Sequence, residues 1–135
     1  LSSEYPLKPF DTNESLVNLF QKQVKRTPQA CAISIGHGNK QQRLSYLELD
    51  QRSDNLAITL LALVNKAVSQ SDFIACALPR SLELSIALWA ILKIGKAYCP
   101  ISEDVRDKRL ANILNDADIC IFIGDRKLDE KYFQR

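Results

Sequence analysis

The sequence predicts an α/β fold: a mostly parallel sheet flanked by helices, with a β-hairpin near the N-terminus. Three observations predict it. Three short apolar runs, FIACAL (73–78), AYCPI (97–101) and DICIFIG (118–124), read as strands covered on both faces. Helical stretches separate them, so the connections are βαβ crossovers, right-handed by the general rule. Upstream, ACAISIG (30–36) and RLS (43–45) flank GHGN (36–39), whose Gly and Asn tolerate positive φ, and the three together read as a hairpin.

Residues 1–14 hold two prolines and many polar groups and read as a linker or extended arm. In SLVNLFQKQVKR (15–26), Leu16, Phe20 and Val24 share one helical face, with Val17 and Leu19 beside it. Asn13 or Thr12 is predicted to cap this helix, and Thr27-Pro28 to end it. SYLELDQRSDNLAITLLALVNK (45–66) is a longer helix. Ser45 and Glu48 form a capping box at its start, and Leu49, Leu56, Leu60 and Val64 make its apolar stripe. Pro79-Arg80-Ser81 turns the chain, and Ser81 can cap SLELSIALWAILKIG (81–95). That helix is apolar nearly all round and is expected to be deeply buried. DKRLANILNDA (107–117) is a helix with Leu110, Ile113 and Leu114 inward. The charged tail, residues 126–135, is expected to fray or to begin a further element.

The stretch LKIGKAYCPISE (92–103) admits two readings. A phosphate loop needs several glycines after a strand and before a helix, so that backbone N–H groups converge on the anion. Here the order is reversed and there is one glycine. The stretch therefore reads as a helix end feeding a strand. Gly95 supplies a left-handed cap, and Lys93 suits the negative end of the helix dipole.

With 135 residues and 46% apolar content, the chain has the size and core of about one domain. Its 18 basic and 16 acidic residues leave a net charge of +2, which argues against nucleic-acid or membrane-surface partners. The longest apolar stretch, 82–92, is broken by Glu83 and Ser85 and is too short to span a bilayer. LSSEYPLKPF shows no signal-peptide pattern, and the Leu1 start suggests a piece of a longer protein. Cys31, Cys76, Cys99 and Cys120 form no CxxC pair and each lies in an apolar run. They are expected to be buried free thiols in a reducing cytosol, hence a cytoplasmic location.

No catalytic, metal or cofactor-binding constellation emerges. His37, the one histidine, sits in the GHGN turn, which lacks the third glycine and following helix of a dinucleotide fingerprint. Glu103-Asp104 and Asp129-Glu130 read as solvated surface. Arg80-Ser81 is the single ligand-proximal candidate, because it follows the carboxyl end of a buried strand. The alternative there is a helix cap beside a solvated arginine.

Taken in order, LSYLEL (44–49), LPRSLEL (78–84), LKIGKAYCPI (92–101) and KRLANILNDADICIFIGD (108–125) resemble the N-terminal part of adenylate-forming enzymes, in particular the adenylation domains of nonribosomal peptide synthetases. SLVNLFQKQVKRTPQACAI (15–33) resembles the way those domains begin, and the likeness covers residues 15–125. Its motif positions are Leu44, Ser45, Tyr46, Glu48 and Leu49, then Leu92, Lys93, Gly95, Tyr98 and Pro100.

The resemblance implies a parent that uses ATP and Mg²⁺ to make an acyl adenylate from a carboxylic acid, usually an amino acid. It implies transfer of the acyl group to the phosphopantetheine thiol of a carrier domain. Partners would be the rest of the adenylation domain and the carrier and condensation domains. The family's phosphate loop, specificity pocket, ribose-binding aspartate and late lysine have no counterpart here. The chain by itself is therefore expected to be inactive. A degenerate, non-catalytic docking module is the alternative. Where the family continues with Asp-Pro and then Tyr-Pro, this chain has Ser102-Glu103 and Val105-Arg106, and Ile94 replaces the usual alanine before glycine.

Overall fold

The computed structural model describes residues 13–68 and 71–133, so the predicted arm over 1–12 and the alternative cap Thr12 lie outside the described residues. In chain order the elements are α1 (Leu16–Arg26), β1 (Cys31–Ile35), β2 (Gln42–Ser45), α2 (Tyr46–Lys66), β3 (Phe73–Ala77), α3 (Leu82–Lys93), β4 (Ala97–Pro100), α4 (Asp107–Asp116) and β5 (Phe122–Gly124). The predicted α/β order is the observed one.

The α1 cap is Ser15, whose hydroxyl accepts the Asn18 N–H at 3.1 Å, and not Asn13. The helix consequently starts at Leu16. Phe20 and Val24 are buried as predicted, but Leu16 is 63% exposed, in a first turn that reaches past the core.

Strands β1 and β2 pair antiparallel, with a register irregularity between Cys31 and Ile33. Gly36 opens the turn at φ +93°, and a Cβ there would come within 2.6 Å of the Lys40 carbonyl oxygen, so the loop closes only on glycine.

The capping box of α2 is present. The Glu48 N–H donates to Ser45 Oγ at 3.1 Å, and the Ser45 N–H donates to Glu48 Oε1 at 3.2 Å. The other two free amides of the first turn, on Tyr46 and Leu47, donate to the carbonyls of Ala30 and Pro28, both at 3.0 Å. The start of α2 is thus fully satisfied.

The second sheet is purely parallel, in the order β4-β3-β5. Alternate residues of β3 face opposite layers. Ile74 packs with Ala57, Leu60, Ala90 and Ile91 of α2 and α3. Ala75 packs with Leu110 and Leu114 of α4 and with Ile119. A third cluster, Phe20, Val24, Leu44, Leu49 and Leu82, ties α1 and the hairpin to α2 and α3. Leu82, Ala87, Ala90 and Ile91 of α3 are buried, while its other apolar residues are half-buried, less deep than predicted because α2 and the sheet do not enclose it fully.

Both crossover helices end in the same way. After α3, the Gly95 N–H reaches the Leu92 carbonyl (3.0 Å) and the Lys96 N–H reaches the Ile91 carbonyl (3.2 Å), with Gly95 at φ +76°. After α4, Asp118 takes the left-handed role at φ 52°, with Asp118 N–H to Asn115 O and Ile119 N–H to Leu114 O. Residues 118 and 119 therefore serve the helix end, and β5 is shorter than the predicted 118–124.

The cysteine expectation needs correction. Cys76 is buried and Cys99 half-buried, but Cys31 and Cys120 are exposed. Cys31 begins the hairpin, and Cys120 lies just ahead of β5. No helix among the described residues is long and apolar enough to cross a membrane.

Candidate functional site

The carboxyl ends of the parallel strands lie level, since Cys76 registers with Pro100 and Ala77 with Gly124. From the central β3 the chain goes to one side for β4 and then to the other for β5. The strand order therefore reverses at β3, and in open parallel sheets ligands bind outside the carboxyl ends at such a point. Arg80 and Ser81 follow β3, residues 102–106 follow β4, and Asp125 and Arg126 follow β5.

The side chains at this edge are engaged with one another. Ser81 Oγ accepts the Leu84 N–H at 3.2 Å and donates to the Pro79 carbonyl at 2.9 Å, so its hydroxyl is committed to capping α3. Arg80 is exposed beside it. The Ser102 hydroxyl donates to the Asp104 carboxylate and holds that carboxyl below its ordinary range. Asp107, the first residue of α4, pairs with Arg126 Nη2 at 3.3 Å and accepts the Asp129 N–H at 2.7 Å.

This edge does not fit a nucleotide triphosphate and its metal. Gly124 is its one glycine, and a Cβ there would meet the Phe122 ring at 2.7 Å. That glycine makes room for an aromatic ring, not for converging N–H groups. Among the described residues no group of three or more His, Cys, Asp or Glu could hold a metal ion. His37 is exposed at the start of a short 3₁₀ turn in the hairpin.

The motif residues lie at two joints. Leu44, Ser45, Tyr46, Glu48 and Leu49 make the β2–α2 joint. Leu44 and Leu49 are each 2% exposed, and Ser45 and Glu48 form the cap. Leu92, Lys93, Gly95, Tyr98 and Pro100 make the α3–β4 joint. Burial pushes the Tyr98 phenol above its ordinary range, with the neighbouring Cys76 and Cys99 adding to the shift.

Lys93 departs from the helix-dipole reading. Its ammonium leaves the end of α3 and crosses to α2, meeting Asp50 Oδ1 at 2.6 Å, the Asp50 carbonyl at 3.1 Å and Asp54 Oδ1 at 2.7 Å. It also lies 5.5 Å from the centre of the Phe20 ring, which stacks on Trp89 at 4.3 Å. Gln21 completes the group by donating to Asp50 Oδ1 at 2.7 Å. At 7% exposure the Lys93 side chain needs such partners. The sequence signal for this cluster was the pair Asp50 and Asp54, four apart on one face of α2.

Residues 20–134 match the family described as AMP-binding enzyme. The chain is 39% identical over 124 residues to malpibaldin synthetase of Mortierella alpina, covering 92% of this chain and 2% of that protein. It is 37% identical over 108 residues to a dimodular nonribosomal peptide synthase of Bacillus subtilis (strain 168), covering 80% of this chain and 4% of that protein. The chain thus spans a few per cent of the length of these curated relatives. Among solved structures, the nonribosomal peptide synthetase FmoA3 in its α-methyl-L-serine-AMP bound form superposes with a TM-score of 0.67 at 28% identity, over 86% of this chain and 12% of that one. The N-terminal subdomain of Klebsiella oxytoca NpsA shares the fold, with a TM-score of 0.65 at 24% identity over 84% of this chain and 28% of that one. This chain belongs to the AMP-binding enzyme family and corresponds to the N-terminal part of an adenylation domain of the nonribosomal peptide synthetase type.

Proposed function

We propose that these residues are the N-terminal scaffold of an adenylation domain that activates an amino acid, or another carboxylic acid, as its acyl adenylate. The activated group is destined for the phosphopantetheine thiol of a carrier domain in nonribosomal peptide synthesis. The observation that supports this most is the placement of both family motifs at structural joints within the matched span. LSYLEL closes the start of α2, and LKIGKAYCPI closes the end of α3 and supplies β4.

ATP and Mg²⁺ belong to the complete domain in this reading. The donors present here do not form their cradle, so no chemical step is assigned to this chain's residues. Arg80 is the side chain best placed to lie near a ligand, being exposed at the strand-order reversal. Partners are the rest of the domain and the carrier and condensation domains, in the cytoplasm. Ile58, Leu61 and Leu63 of α2 are exposed, which suits surface covered in a larger assembly.

The test is amino-acid-dependent ATP–pyrophosphate exchange by the longer synthetase polypeptide that carries this segment, with the 135-residue chain as control. A second reading, a non-catalytic docking module, is favoured by Ser102-Glu103 and Val105-Arg106 in place of the usual Asp-Pro and Tyr-Pro. Absence of exchange in the longer polypeptide supports it.

A further inference from the structure

We draw no further inference here: the strongest candidate, the apolar cleft between the end of α2 and β5 lined by Leu63, Ala67, Cys120, Ile121 and Phe122, carries none because nothing in the structure shows what covers it.

Discussion

Lys93 Nζ stands 2.6 Å from Asp50 Oδ1, a contact between residues 43 apart that joins the last turn of α3 to the first turns of α2. The pair is shielded, with the lysine side chain 7% and the aspartate 15% exposed. Removing one member of a buried pair leaves the other charge without compensation, so Lys93→Ala is expected to lower stability by about 3 kcal/mol. Asp54, 55% exposed, holds the same ammonium but is solvated, and Asp54→Ala is expected to cost under about 1 kcal/mol. Urea unfolding of the two variants checks this. Equal losses would show that burial does not set the strength of these contacts.

That contact also shows what the sequence carries and what it withholds. The parallel strands were legible because continuous apolar runs need cover on both faces, and Ile74, Ala75 and Cys76 receive it from opposite layers. Gly95 was legible because a left-handed helix end favours glycine. The destination of Lys93 was not, since pattern reading keeps a lysine on its own helix and cannot see α2 arriving alongside. The two exposed cysteines failed for a related reason: Cys120 sits in an apolar run, but the outer edge of β5 meets no strand among the described residues. At the candidate site, the place of Arg80 and Ser81 after β3 was legible. The commitment of the Ser81 hydroxyl to the Pro79 carbonyl and the Leu84 amide needed coordinates.

The LSYLEL motif acts through its cap. Ser45→Ala removes the acceptor for the Glu48 amide and is expected to destabilise by about 1 kcal/mol. Ser45→Asp keeps an acceptor and is expected to restore most of the loss. Thermal unfolding of the two variants separates capping from a side-chain contact specific to serine.

Gly95→Ala tests the second motif. A Cβ at this position meets nothing within 4 Å, so crowding is not the issue. The backbone at φ +76° is, and left-handed geometry costs a residue with a Cβ about 1–2 kcal/mol. Gly95→Asn, which tolerates that geometry better, is expected to lose less. A larger loss for asparagine than for alanine in denaturant melts would contradict the assignment.

Alkali should weaken the fold through Cys76. Burial pushes its thiol above the ordinary range, so the unfolded chain ionises first. The stabilising contribution is complete below the ordinary thiol pKa of about 8.5 and is lost as pH rises through the higher folded value. Tyr98, shifted the same way, extends the decline above about pH 10. Melting temperatures between neutral pH and this range are expected to fall for the natural chain and to fall less for Cys76→Ala. Parallel declines would remove Cys76 from the account.

The central claim is that this segment scaffolds an adenylating enzyme without carrying its chemistry. Amino-acid-dependent ATP–pyrophosphate exchange, run side by side on the longer synthetase polypeptide and on the 135-residue chain, tests it most directly. The account predicts exchange by the longer polypeptide with one class of amino acid and none by the chain alone. Exchange by the purified chain itself, or none by the longer polypeptide with any acid offered, would contradict it.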